Sequence, residues 1–333
     1  MTKNILLCVL LTYSTALQAQ SVNITTIAFG SCSHEDDSVQ LWKEVLQQKP
    51  DVWVWLGDLI YADTNDINVI KEKYDRQKRH PDYQKLLANC PVIGTWDDHD
   101  YGTNDGGKDF PIKKESKEKI LDFLDVPADA EVRKHDGVYS SCTLGAGERK
   151  VKIILLDTRY FRDNLQPSTK ENERYTPASK GDMLGEAQWE WLENELKNSD
   201  AAINIIGSSI QFIPTQHGYE KWMNLSSSRE RMLDFLKKYS TKKTFIISGD
   251  RHIAELSRMK VTGLPYILYD FTSSGLTHSW DAGTEENKYR VGELIKQKNF
   301  GVITIDWSHA SPTLLLEVFG THSKRYFTYT IVF

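Results

Sequence analysis

Basic residues do not outnumber acidic ones in this chain, and long apolar runs are rarer still. The 333 residues include 41 Lys and Arg against 46 Asp and Glu, a formal charge of −5. That balance gives no electrostatic footprint for a nucleic-acid polyanion, and no nucleic-acid binding is expected. No internal repeat, low-complexity tract or linker divides the sequence, so one domain is expected. Cysteines number only four. The first apolar run, residues 5–11, is too short to span roughly 30 Å of hydrocarbon, which argues against a stable membrane anchor.

That run has Lys3 before it and a short polar stretch ending at Ala19 after it. Segment 1–19 therefore reads as a secretory signal peptide, with Leu17 an unusual residue three places before the cut. Residues 20–333 are then expected to act as one secreted or periplasmic domain. Cys8 would leave with the signal, so Cys32, Cys90 and Cys142 remain, an odd number in an exported chain. Cys90 and Cys142 either pair or sit as buried hydrophobes. Sequons stand at Asn23 and Asn224.

What the chain does have is a 40% hydrophobic and 11% aromatic composition, enough for a sizeable core. Residues 25–29 read as a strand and 38–48 as a helix with Val39, Trp42 and Leu46 on one face and Leu41 and Val45 beside them. The run 52–56, Val-Trp-Val-Trp-Leu, reads as a second strand. Strand, helix, strand over thirty residues is a βαβ unit, and unbroken apolar runs suit strands covered on both faces. A polar, partly helical stretch covers 65–89, and a third strand follows at 91–95.

Residues 113–124 read as an exposed amphipathic helix. A hairpin is expected over 138–143 and 151–156, and a long surface loop over 163–185, a length that is often functional. Helices are expected at 186–197 and 229–239, and strands at 202–206 and 244–247. The tail is β-rich, with strands at 266–271, 301–306, 313–318 and 326–332. Trp53, Trp55 and Trp96 read as core.

The chemistry is written at the strand ends. The densest cluster is Asp97-Asp98-His99-Asp100, where the third strand stops: three carboxylates and an imidazole that are costly to bury without a cation. Other strands stop in turns carrying Cys32, Asp58, Ser208-Ser209, and Asp250 with His252. In a parallel sheet all such tips lie at the carboxyl edge, so residues two hundred positions apart can share one pocket. A single Gly-Asp turn says nothing, and a solvated acidic loop is the ordinary reading of an Asp cluster; recurrence at every tip is what points to a site. Thiol, carboxylate and imidazole together suit a metal, and two ions sharing Asp58 would clamp a phosphoryl oxygen. A thiolate at Cys32 and a phenolate at Tyr61 favour iron, and all-oxygen ligands favour calcium, magnesium or manganese. The alternatives are an inert thiol at Cys32 and a core-packed ring at Tyr61.

Taken together, Phe29-Gly30-Ser31-Cys32-Ser33, Gly57-Asp58-Leu59-Ile60-Tyr61, residues 95–100, Leu156-Asp157-Thr158-Arg159 and Ser248-Gly249-Asp250-Arg251-His252 resemble the metallophosphoesterases, and within them the alkaline phosphatase D (PhoD-like) group. The resemblance spans residues 29–252 in the family's order. It implies an α/β fold, a metallophosphoesterase-type sandwich of two mixed β-sheets flanked by helices. It also implies an exported phosphomonoesterase or phosphodiesterase with two or more metal ions, iron plus calcium, with manganese, magnesium or zinc as substitutes. On that resemblance Cys32, Asp58, Tyr61 and His252 are ligands of the first metal. Asp58, Asp98 and Asp250 are ligands of the second. Asp98 stands where most metallophosphoesterases have Asn, and Cys32 and Asp250 where many have Asp or His, which matches the PhoD-like pattern.

His99 resembles the histidine that protonates the leaving group, so a metal-bound hydroxide and a histidine acid would hydrolyse small phosphate esters. Arg159 is either a catalytic contact to phosphate or an ion-pair partner of Asp157. His217 is a structural or substrate-side residue, and the 163–185 loop and 222–228 are expected to shape the substrate end. The rivals are a non-catalytic extracellular metal-binding protein and a different metallohydrolase, a lactonase or nuclease.

Overall fold

The computed structural model describes residues 25–239, 243–281, 285–309 and 311–332. The signal segment 1–19 and the Asn23 sequon lie outside the described residues. The first half of the chain runs β1 (Thr26–Gly30), α1 (Trp42–Gln47), β2 (Val52–Leu56), α2 (Ile67–Arg79), α3 (Pro81–Asn89), β3 (Val92–Thr95), α4 (Asp98–Tyr101) and α5 (Lys113–Phe123). Then come α6 (Glu131–Lys134), β4 (Ser140–Leu144), β5 (Val151–Leu155), the short pair β6 (Gln166–Pro167) and β7 (Tyr175–Thr176), α7 (Gly185–Lys197) and β8 (Ile203–Ser208). The remainder is α8 (Ser226–Tyr239), β9 (Lys243–Ser248), β10 (Ala254–Lys260), β11 (Ile267–Ser273), β12 (Arg290–Ile295), β13 (Phe300–Asp306), β14 (Thr313–Phe319) and β15 (Arg325–Val332).

Two large mixed sheets result. One has the order β15-β14-β13-β1-β2-β3, and the other β12-β10-β11-β9-β8-β5-β4. β1, β2 and β3 are parallel to one another, as are β5, β8, β9 and β11. Strand β2 shows why its run needs no alternation. Val52, Val54 and Leu56 enter the apolar layer between the sheets, whereas Trp53 and Trp55 face the helices and pack edge-on against Trp42. The second sheet repeats the pattern: Phe245 and Ile247 of β9 enter the inter-sheet layer, and Ile246 faces α7 and α8. Helices thus cover the outer face of each sheet, a four-layer arrangement in which central strands are buried on both sides.

Several local expectations shift. Helix α1 begins at Trp42 rather than 38; Val39 is 56% exposed, and Leu41, Trp42 and Val45 form the inward face. Helix α5 buries Ile120, Leu121 and Phe123 against α2, so it is not a solvated helix. The 163–185 segment carries the β6–β7 pair, and it ends in buried Met183 and Leu184. Strands β10 and β12 escape the hydropathy pattern because β10 buries polar groups. Glu255 and Ser257 point inward, and Arg290 of β12 pairs with Glu255.

Cys32, Cys90 and Cys142 are all free thiols, so no Cys90–Cys142 bridge forms. Asn224 is buried, its side-chain oxygen accepting from the Lys221 N–H, which closes that sequon in the folded chain. Among the described residues no helix is long and apolar enough to cross a membrane.

Candidate active site

The tips of both sheets meet at one end of the sandwich. Gly249, just after β9, marks the contact: a Cβ there would lie 2.5 Å from the carbonyl oxygen of Leu56 at the end of β2. The hydroxyl of Thr95 on β3 donates to the Leu156 carbonyl across the same seam, at 2.8 Å. Tips that the sequence places on one parallel edge therefore come from two sheets and converge all the same.

Four residues at these tips hold left-handed backbone: Cys32 (φ 60), Asp58 (φ 50), Asp250 (φ 69) and His252 (φ 55). Such φ values are uncommon outside glycine, and cost on the order of 1–3 kcal/mol each where surrounding structure enforces them. Clustering of this strain at strand ends brings the four side chains together, Asp250 and His252 lining one cleft and Cys32 and Asp58 buried behind them. Gly57 (φ 95) precedes Asp58, and a Cβ on it would fall 2.2 Å from that of Asp97, so only glycine fits the turn.

The four consecutive residues after β3 divide by role. Asp97 and Asp100 turn back into the frame: Asp100 accepts from the N–H groups of Asp97 (2.7 Å) and Leu59 (3.3 Å). Asp97 accepts from Ser209 and pairs with Arg159. Asp98 and His99 face the cleft instead. Asp98 accepts from the Asp105 N–H at 2.6 Å, and His99 places Nδ1 2.7 Å from Asp63.

On the first side of the cleft, the Cys32 thiol donates to Asp58 Oδ2 at 3.4 Å. The Tyr61 hydroxyl lies 3.4 Å from that same oxygen and 3.1 Å from His252 Nε2. Donor atoms of Cys32, Asp58 and His252 all fall within 4.8 Å of one another, a grouping able to hold a metal ion. Asp58, Asp98 and His99 form a second such grouping, Asp97, Asp98 and Asp250 a third, and Asp98, Asp105 and Glu220 a fourth.

The electrostatics follow from packing acids into a dry floor. Burial pushes the Asp58 carboxyl well above its usual range, and the neighbouring Asp98 adds to the effect. Asp250 rises to about 8, again by burial first. Burial would raise Asp98 as well, but Arg159, His99 and the Asp105 N–H outweigh it and hold it at about 2. His252 is depressed to about 3 by burial, then by His278 and Arg251. His99 goes the other way: burial disfavours its charge, yet Asp58, Asp63 and Asp98 prevail and push it up to about 11. Oδ2 of Asp250 is buried with no hydrogen-bond partner. Crowded acids, a neutral imidazole, a thiol and an orphaned carboxylate oxygen together form a donor set that fits a cation.

Arg159 corrects the sequence expectation of a phosphate contact. Its side chain is 0% exposed, bound to Asp97 at 2.5 Å and to Glu220 at 2.6 Å, and it does not line the cleft. Nor is Asp157 its ion-pair partner; that carboxylate accepts from the backbone N–H groups of Val138, Arg159 and Tyr160. The cleft, about 190 Å³, is walled instead by Arg174, Tyr219, Arg251 and Trp280. Arg174 belongs to the 163–185 segment expected at the substrate end, but residues 222–228 contribute nothing, since Trp222 and Asn224 are packed inside.

His217 is also buried, beneath this wall, and its Nδ1 accepts from the Tyr219 N–H. The residue that sequence reasoning missed is His278, whose Nε2 lies 3.0 Å from the Tyr61 hydroxyl. It sits five residues beyond β11, so the strand-tip logic applied to that strand would have found it.

Comparison with known proteins bears on family and fold. The sequence model of the PhoD-like phosphatase family matches residues 66–306. Alkaline phosphatase D of Bacillus subtilis (strain 168) is 25% identical over 317 residues, covering 78% of this chain and 53% of the relative, so the chain spans about half the length of the curated relative it matches. The solved structure of PhoD superposes with a TM-score of 0.68 at 17% identity, over 94% of this chain and 72% of that one. With two mixed sheets flanked by helices and a family match over most of its length, the chain belongs to the PhoD-like phosphatase family.

Proposed function

We propose that this protein is an exported, metal-dependent phosphoric ester hydrolase. The observation that carries the reading is the convergence of two donor groupings on the shared carboxylate of Asp58, beside an imidazole held by Asp63. Cys32, Asp58, Tyr61 and His252 would hold one ion, and Asp58, Asp98 and Asp250 another. A thiol and a phenol suit iron, and the carboxylate set suits calcium, with magnesium, manganese or zinc as substitutes. Bound ions of this kind neutralise phosphoryl oxygens and acidify water.

The chain's own residues supply the rest. His99 faces the cleft, its Nδ1 engaged by Asp63 and its other nitrogen left for substrate, and it donates a proton to the departing alkoxide. Arg159 acts at one remove: it holds Asp97, and so the turn that presents Asp98. Arg174 and Arg251 sit on the wall, but Asp105 and Glu285 pair with them. With those guanidiniums engaged, a singly charged diester suits the cleft better than a doubly charged monoester. Low-polarity phosphate esters reaching the cleft would meet Tyr219 and Trp280, packed edge to face at 5.6 Å.

Elemental analysis of the purified protein, combined with mono- against bis-nitrophenyl phosphate assays, tests the reading. Bound metal and faster turnover of the bis-ester are expected. Metal without turnover of either ester at any pH would leave a non-catalytic metal-binding protein, and turnover of a lactone alone would leave another metallohydrolase.

A further inference from the structure

We propose that His278 is a fifth donor to the ion held by Cys32, Asp58, Tyr61 and His252, an inference that rests on the metal-dependent reading above. Nε2 of His278 lies 3.0 Å from the Tyr61 hydroxyl and 3.3 Å from Nε2 of His252, which is itself 3.1 Å from that hydroxyl. Three donor atoms thus form a nearly equilateral triangle. Donors at right angles around an ion bound at about 2.0–2.2 Å stand roughly 3 Å apart, the spacing of such a triangle's edges. The Asp58 oxygen is 3.4 Å from both the Tyr61 hydroxyl and the Cys32 thiol, whereas His278 stands outside the 4.8 Å grouping of Cys32, Asp58 and His252 and reaches the ion from the Tyr61–His252 side. The two imidazoles are nearly perpendicular, 76° between ring planes, so they bring nitrogen edges together rather than stacking.

Hydrogen bonding behind the ring favours the ligating tautomer. The Thr277 hydroxyl accepts from the His34 N–H at 2.8 Å and donates its one proton to the Cys32 carbonyl at 3.2 Å. Its remaining lone pair faces Nδ1 of His278 at 2.9 Å. Nδ1 therefore carries the ring proton, and Nε2 presents a lone pair to the cluster. A histidine whose far nitrogen is tied to a neighbouring oxygen is the usual arrangement around metals. The loop is also pinned where it must be: the N–H groups of Leu276 and Thr277 donate to the carbonyls of Ser31 and Cys32, both at 3.3 Å. The turn that offers the thiol thereby positions the second imidazole.

The alternative role is a hydrogen-bond partner that merely orients Tyr61. Full-length protein, stripped and reloaded with iron(III), separates the two through iron retention and the visible phenolate-to-iron absorption band, with metal-free thermal melts as the folding control. His278→Gln, which keeps a hydrogen-bonding group but is a poor ligand, is expected to weaken iron retention by at least about 100-fold and to shift the band. His278→Asp, which keeps a donor, is expected to retain iron. Thr277→Val is expected to cost about 10- to 100-fold. Retention and band unchanged in His278→Gln, while the wild-type protein binds iron and turns over phosphate esters, would overturn the ligand role alone. Wild-type protein that neither takes up iron nor hydrolyses an ester would overturn the metal-dependent reading and this inference with it.

Discussion

The two sheets bring different chemistry to the same cleft. From the six-stranded sheet come the thiol of Cys32, the carboxylates of Asp58 and Asp98, the phenol of Tyr61 and the His99–Asp63 pair. From the seven-stranded sheet come Asp250, the imidazoles of His252 and His278, and Arg159, which reaches across to Asp97. One side is a dense, largely acidic wall; the other supplies neutral nitrogen donors and a buried cation. The Asp58–Asp98–His99 grouping lies within the first sheet, but the Cys32–Asp58–His252 and Asp97–Asp98–Asp250 groupings need both sheets. The first cannot hold its charges together, and the second has little charge to hold an ion. A cation between them would bond both sheets, so occupancy and sheet docking are coupled.

The sharpest way to break this comparison is at the shared residue. Asp58→Asn removes a carboxylate common to both donor groupings, and turnover of any phosphate ester should fall on the order of 10³-fold or more, measured as kcat/KM with metal content alongside. His99→Ala removes the acid and leaves the Cys32–Asp58–His252 grouping whole, although His99 also stands beside Asp58 and Asp98. With metal content measured alongside, it should slow esters with poor leaving groups by about 10²–10⁴-fold and nitrophenyl esters far less; equal losses on both at unchanged metal content would remove His99 from that role.

Asp63→Asn tests what holds the His99 proton once cations offset Asp58 and Asp98. With Asp63 gone the raised His99 pKa must fall, so the alkaline limb of activity moves to lower pH, with about a tenfold loss on poor leaving groups. A raised histidine pKa contributes stability below its unfolded value and loses it as pH climbs through the folded one. The variant should therefore lose its stability advantage earlier on the alkaline side.

Chelation is the mildest and most general probe. If ions join the sheets, removing them at a concentration once 100-fold above Kd should cost about 2.7 kcal/mol and lower Tm by several degrees, read in a melt with and without chelator. An unchanged melt would mean that the sheets dock without ionic help.

Much of the frame was legible because burial on two faces leaves a signature. β2 has to be covered on both sides, since Trp53 and Val54 point opposite ways and neither tolerates water. The turns after β1, β2, β3 and β9 were legible for a related reason: polar residues that abruptly end apolar runs mark where backbone leaves the sheet. Strands β10 and β12 were not legible, because Glu255 and Arg290 satisfy each other across strands and conceal the burial. His278 escaped because β11 reads as part of the β-rich tail and its tip was not joined to the others.

The amino-acid order alone determined which residue types end which strands, and hence that thiol, carboxylates and imidazoles were available for one purpose. Side-chain period and turn chemistry are local properties, set within a few residues. Only the packed molecule decided that the strands divide between two sheets and that Asp97 and Asp100 turn inward while Asp98 and His99 turn out. It also decided that Arg159 is spent on Asp97 and Glu220 rather than on substrate. The Arg159 pairs join segments more than sixty residues apart, and although Asp97 and Asp100 cap their own turn, Ser209 and Leu59 reach them from distant chain, so direction is fixed by the meeting of two surfaces.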